Sequence, residues 1–141
     1  MVHHFTRFFF HFIWATWERE PLITAEIEPY AYRLIKEQSE ANNCQVIALG
    51  GIADHVHLFI AAPPTFYAPD LMKSVKGVSS HRLNEAYGRP GWAFKWQSRY
   101  SGHTVSAKDV LMITGYIEKQ KRHHADGTLI PNAELPSQTQ V

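Results

Sequence analysis

Two histidines separated by one residue, His55 and His57, and a tyrosine four residues before a glutamine, Tyr116 and Gln120, are the side chains here whose types and spacing could do chemistry together. In an extended segment side chains alternate between faces, so His55 and His57 project together while Val56 turns into the opposite layer. That is a bidentate start to a metal site. On a helix, Tyr116 and Gln120 stand one turn apart on one face, where a phenol and an amide oxygen can be presented to a metal together. A phenol ionises near pH 10, roughly, and is a poor nucleophile at neutral pH. A divalent cation held by imidazoles and an amide oxygen polarises a phosphodiester and stabilises charge building on phosphorus, which lets a tyrosine attack. Each half also has a plainer reading. A chain with nine histidines produces a His-x-His run by chance, and Tyr116 and Gln120 can be a packed ring and a solvated amide on an ordinary helix.

The elements that must position these residues follow from periodicity. Phe5 to Trp14 is apolar on both alternating faces, which predicts a central strand. Thr24 can cap a helix in which Ile27, Ala31, Leu34 and Ile35 recur at helical spacing, ending near Asn42 and Asn43. Cys44 to Ile52 and His55 to Ala61 read as two strands joined by a tight turn at Ala53 and Asp54. Pro69 suits a first helical turn, and Leu71, Val75, Val78 and Leu83 form a stripe that stops at Gly88.

Trp92 to Arg99 alternates aromatics with Ala93, Lys95 and Gln97, predicting a half-buried strand. Ser106 and Asp109 resemble a capping box, opening a third helix whose stripe is Val110, Ile113 and Ile117 and which runs to about His124. Met112 is placed one turn before Tyr116 on its face, and His123 or His124 one turn after Gln120. The tail from Ala125, with Gly127, Pro131 and Pro136, predicts loop or mobile coil. The resulting β-α-β-β-α-β-α order predicts an α+β sandwich of the ferredoxin-like or RRM-like kind, with helices on one face of a single sheet and an added C-terminal helix. Its first and third strands lie side by side in the centre, which puts His55 and His57 on a central strand. One domain over residues 1–125 and a tail over 126–141 complete the expectation.

Composition narrows the class. With 141 residues, 45% hydrophobic, the chain can bury one ordinary core but not two. Cys44 is the single cysteine and is read as a core residue, no internal disulfide can form, and no secretory leader is evident, so a cytoplasmic location is expected. The most apolar run, Phe8 to Trp17, is too short to span a bilayer. The net charge of +1 does not announce a nucleic-acid binder. Its distribution says more, because Lys73, Lys76, Arg82, Arg89, Lys95 and Arg99 face only Glu85 in their stretch. With Trp92, Phe94 and Trp96 interleaved, that block can track a phosphate backbone and stack unpaired bases. A solvated helix face followed by a strand with core aromatics explains it equally.

The motifs Asp54-His55-Val56-His57-Leu58-Phe59, Lys76-Gly77-Val78-Ser79-Ser80 and Tyr116-Ile117-Glu118-Lys119-Gln120 followed by His123-His124, in this order, resemble the single-tyrosine HUH transposases of the smallest bacterial insertion sequences and their relatives associated with repetitive extragenic palindromes. The resemblance extends from the first strand to about residue 130. It implies an enzyme that binds hairpins at element ends, cleaves single-stranded DNA, retains the 5′ end as a phosphotyrosine and later rejoins strands. On that resemblance Tyr116 takes the nucleophile position, and His55, His57 and Gln120 ligate Mg²⁺ or Mn²⁺, with no nucleotide cofactor. Lys73, Lys76, Arg82, Lys95 and Arg99 are candidate DNA contacts. It implies a homodimer in which the tyrosine helix can serve the partner's histidine pair, although palindrome-associated relatives can complete the site within one chain. Ala53 departs from the proline that many members carry before Asp54.

Other features are demoted. Gly50-Gly51 reads as a strand irregularity, not a phosphate cradle, and Tyr67, Tyr87 and Tyr100 lack a ligand-type residue at helical spacing. Three rival functions stay open from sequence: a non-catalytic single-strand-binding module of the RRM-like type, a replication or mobilisation nickase, and a metal-dependent phosphodiester hydrolase in which Tyr116 is structural.

Overall fold

Alternation along the first strand, β1 (Phe8–Ala15), sends Phe10, Phe12 and Trp14 to one layer and Phe9, His11 and Ile13 to the other. In the computed structural model, which describes residues 7–135, it is followed by α1 (Glu28–Ala41), β2 (Gln45–Ile52), β3 (His55–Ala62), α2 (Ala68–Tyr87), β4 (Ser101–Val105), α3 (Val110–Glu118) and α4 (Gln120–Asp126). Phe5 and Thr6, the start of the predicted first strand, lie outside the described residues. The four strands form one antiparallel sheet in the order β2-β3-β1-β4, so β1 and β3 are central as the ferredoxin-like expectation requires. A two-residue turn at Ala53 and Asp54 joins β2 to β3, with Ile52 opposite His55.

The two faces of the sheet do different work. Helices α1 and α2 place Ala31, Leu34, Ile35, Leu71, Met72, Val75 and Leu83 against Phe12, Trp14, Val56, Leu58 and Ile60, forming the main core. Burying a side chain of this size contributes about 1.5–3 kcal/mol, so this layer supplies most of the stabilisation. The added helix α3 covers the opposite face, where Ile113 and Ile117 meet Ala48 and Phe59. His11, His55 and His57 are on that face, each no more than 2% exposed. All of β3 is buried because both faces are covered.

Several local expectations are corrected. The fourth strand is Ser101–Val105, not Trp92 to Arg99. In the aromatic segment Phe94 and Trp96 are buried as alternation predicts, but its backbone crosses the end of β1 and makes isolated bridges, Thr16 to Trp96 and Arg89 to Trp92, in place of a ladder. Side chains of α2 hold it instead: Asn84 accepts from the Phe94 amide at 2.7 Å and donates to the Phe94 carbonyl at 2.9 Å, and Trp96 Nε1 donates to Ser79 Oγ at 2.8 Å. Ala48, not the Gly50-Gly51 pair, borders the β2 irregularity. The glycines are needed for close approach, since a Cβ on Gly50 would collide with the Ile117 carbonyl of α3 and one on Gly51 with the His55 carbonyl.

The last helix is not continuous, because the backbone opens at Lys119 (φ −107°, ψ 24°) and separates α3 from α4. Ser106 makes no side-chain cap bond at the short turn Ala107–Asp109, and Met112 is 51% exposed, away from the buried stripe. Thr24 acts one turn before α1, its Oγ1 accepting from the Ile27 amide at 3.3 Å. The expected tail coil departs most. Gly127, at φ 69°, ends α4 in the left-handed region that glycine occupies without strain, and the chain turns back through a short 3-10 turn at Pro131–Ala133 towards β3. Pro136 lies outside the described residues.

Candidate active site

His55 and His57 begin β3, and each ring is fixed from behind. His55 Nδ1 lies 2.7 Å from Asp54 Oδ1, and His57 Nδ1 lies 2.8 Å from Nε2 of His11 on the neighbouring strand. A histidine whose Nδ1–H is donated in this way offers its Nε2 lone pair forward. Both Nε2 atoms are buried and make no hydrogen bond. Buried polar atoms nearly always find partners, so two orphans side by side on a protected strand call for an explanation.

What they face is a carboxylate from the tail. Oε1 of Glu134 lies 3.3 Å from His55 Nε2, 3.3 Å from His57 Nε2 and 3.6 Å from His124 Nε2. None of these is made as a hydrogen bond from the two β3 imidazoles. The other oxygen, Oε2, accepts a very short hydrogen bond from the Tyr116 hydroxyl and one from Gln120 Nε2 at 3.2 Å. Gln120 Oε1 is 2.9 Å from His124 Nε2, and the Ile130 amide donates to the Tyr116 oxygen at 3.1 Å. The Tyr116 ring stands edge-on to His57, centroids 6.1 Å apart, with His123 against it at 4.7 Å.

Charge follows this geometry. Burial works against the Glu134 carboxylate, but the close imidazoles of His55 and His57 and the Tyr116 hydroxyl outweigh it and hold its carboxyl far below the usual range. Burial and the Glu134 bond push the Tyr116 phenol up, so it stands here as a neutral hydroxyl. His55 is raised because its bond to Asp54 and the nearby Glu134 carboxylate outweigh its burial, whereas burial prevails at His57 and lowers it. Burial, reinforced by His57 and His103, lowers His11 to about 3 and leaves it uncharged.

The structure therefore brings His55, His57, Tyr116 and Gln120 together, and adds residues that sequence reasoning passed over. His11 could have been noticed as the one polar residue in an aromatic strand, and His124 stood among candidates on the tyrosine stripe. Glu134 carried no signal, being an isolated acid in a stretch that reads as coil. The basic residues lie apart. Lys73, Arg82, Arg89, Lys95 and Arg99 are exposed on α2 and the segment after it. Lys76, the first residue of the Lys76-Gly77-Val78-Ser79-Ser80 motif, turns its ammonium onto the carbonyls of Gln97 and Arg99. Lys95 lies over the Trp17 ring at 3.6 Å.

A four-stranded antiparallel sheet carrying a histidine pair beneath the helix of Tyr116 is the arrangement that the motifs' resemblance to transposases leads one to expect. The chain belongs to the IS200-like transposase family, whose model matches residues 4–120. It is 30% identical over 115 residues to the ISDra2 transposase TnpA of Deinococcus radiodurans, covering 79% of this chain and 82% of that one. It is 25% identical over 115 residues to the transposase of insertion sequence IS200 of Salmonella typhimurium, covering 79% and 75%. A crystal structure of a Deinococcus radiodurans protein described as a transposase superposes with a TM-score of 0.68 at 29% identity, over 85% of this chain and 95% of that one. A REP-associated tyrosine transposase bound to a REP hairpin shares the fold, with a TM-score of 0.61 at 16% identity over 92% and 74%. Membership makes the chain a transposase, a DNA-cleaving enzyme, and sets aside the non-catalytic binding module. No helix among the described residues is long and apolar enough to cross a membrane.

Proposed function

We propose that this protein cleaves and rejoins single-stranded DNA at hairpin-bearing element ends, with Tyr116 as nucleophile and a divalent cation, Mg²⁺ or Mn²⁺, held by His55, His57 and Gln120. One observation carries the reading: within one chain, the Tyr116 hydroxyl, the Gln120 amide and two unpartnered imidazole nitrogens converge on a single carboxylate. The residues fit a cation, because two buried nitrogens point forward while Asp54 and His11 fix the rings behind them. Gln120 adds an oxygen donor once its amide turns Oε1 from His124 towards the pair. When bound, the cation polarises a phosphodiester oxygen and offsets charge on phosphorus. Imidazole donors favour Mn²⁺ somewhat over Mg²⁺.

The chain's own residues supply the rest. Tyr116 Oη attacks phosphorus and gives up its proton as the phosphorus bond to the 3′ oxygen breaks. That oxygen gains a proton, leaving a 5′ phosphotyrosine and a free 3′ hydroxyl. Attack by a 3′ hydroxyl on the linkage reverses the bond exchange, returns the phenol and needs no nucleotide. Tyr116 is only 3% exposed, which helps to keep water from the linkage. The closeness of Tyr116 to His57 of the same chain favours a site completed in one chain over one shared across a homodimer. Hairpin binding draws support from the fold neighbour that holds a REP hairpin. Exposed Lys73, Arg82, Lys95 and Arg99 are the proposed backbone contacts, with Lys76 shaping the segment that carries the last two. The domain of residues 1–125 supplies the proposed nucleophile and the histidine and glutamine donors, acting in the cytoplasm, and the tail of 126–141 brings Glu134 back to them.

With Mn²⁺ and a hairpin-bearing single-stranded oligonucleotide, the protein is expected to form a denaturation-resistant adduct that Tyr116→Phe does not form. An adduct from the phenylalanine variant assigns the nucleophile elsewhere. Cutting without any adduct points to attack by water.

A further inference from the structure

We infer that Glu134 is itself a ligand of the cation, so that the site is closed by a carboxylate from the C-terminal tail and the metal in turn fastens the tail to β3. This rests on the cation reading above and goes beyond its histidine and glutamine donors. The argument is one of distances. Oxygen and imidazole ligands sit about 2.0–2.2 Å from a cation of this kind, so neighbouring ligand atoms on one ion stand about 3.0–3.5 Å apart. Glu134 Oε1 lies 3.3 Å from both β3 imidazole nitrogens and makes a hydrogen bond with neither. That separation suits atoms sharing an ion better than atoms sharing a proton, for which about 2.7–2.9 Å is usual when charge assists.

Three further observations agree. The ligand atoms of His55, His124 and Glu134 all lie within 4.8 Å of one another, the spacing of a metal-holding group. His55 and His57 are fully buried, with Nε2 of each aimed at the carboxylate. The tail is also built to deliver this oxygen: His123 Nδ1 lies 2.9 Å from Thr128 Oγ1, the Ile130 amide bonds to Tyr116, the 3-10 turn follows, and Ala133 is buried immediately before Glu134. Oε2 remains free to hold the Tyr116 hydroxyl while Oε1 faces the ion.

The test is Mn²⁺ binding to the full chain without DNA, by titration calorimetry, for the wild type, Glu134→Gln, Glu134→Asp and His57→Ala, with thermal unfolding of each metal-free protein as the folding control. Glu134→Gln keeps the volume and can still bond to Tyr116, and is expected to weaken Mn²⁺ binding by about tenfold or more, the scale on which even supporting partners of a metal site act. Glu134→Asp keeps the charge on a shorter arm and should fall between. Mn²⁺ should also protect the tail of the wild type, but not of Glu134→Gln, from limited proteolysis. Unchanged or tighter binding by Glu134→Gln overturns the inference, since the carboxylate then only competes with the ion. If His57→Ala still abolishes binding in that case, the histidine site stands without Glu134. If the wild type binds no Mn²⁺, or His57→Ala binds it as well as the wild type, both readings fall together.

Discussion

At the scale of single residues, the site shows how much of an imidazole's use is decided by the atom behind it. His55 and His57 differ in charge tendency although they are two positions apart, because the Asp54 carboxylate behind His55 helps to outweigh its burial, whereas burial prevails at His57. Cys44 illustrates the opposite case, a titratable group with nothing to do. It is 3% exposed, and burial pushes its thiol up to about 11. Since the thiolate is the reactive form, alkylation at pH 8 should be slower in the folded chain than in urea by at least about 100-fold, as read by mass spectrometry. Rapid labelling of the native protein would show the thiol to be open. The sign of the linkage follows: between about pH 9 and 11 the unfolded chain sheds this proton and the folded one keeps it, so this group lowers stability as pH rises through that window.

Among the elements, the decisive contact is α3 on β2. Gly50 lets the Ile117 carbonyl come within a distance that any Cβ forbids, which seats the tyrosine helix over the histidine face. Gly50→Ala is expected to destabilise the protein by about 1–3 kcal/mol and to reduce adduct formation with it. Gly77 provides the contrast, lying on the exposed side of α2 with nothing within 4 Å of an added Cβ. Gly77→Ala should stabilise by about 0.5–1 kcal/mol through the helix backbone alone. Chemical denaturation of the two variants checks both signs, and equal effects would mean that α3 does not dock as described. The Lys76-Gly77-Val78-Ser79-Ser80 motif also acquires a structural meaning, because Lys76 and Ser79 hold the aromatic segment. Periodicity predicts a strand in that segment, and the physical reason it forms none is definable. Alternation reports which side chains are buried, and Phe94 and Trp96 are buried, but it cannot report whether the backbone has a ladder partner.

For the whole molecule, the question is whether one chain suffices. Tyr116 already faces His57 of its own chain, so mixing Tyr116→Phe with His57→Ala protein is expected to restore no cleavage. Recovered cleavage in the mixture would require a site shared between chains, and α3 would then have to leave its own histidine face. Local sequence determined the parts: the i, i+2 spacing put two imidazoles on one face of a strand, the element order put that strand in the sheet centre, and turn chemistry joined β2 to β3 at Ala53 and Asp54. It also placed Tyr116 and Gln120 within reach of one another despite the break at Lys119, because a turn of helix survives on either side of it. Tertiary structure alone decided that α3 covers the histidine face, that His11 supports His57, and that Glu134 returns to the site. Periodicity records only what neighbours a few residues away share, whereas the last two approaches join residues 46 and 77–79 positions apart, and the free energy of all three lies in packing and desolvation that no short window of sequence contains.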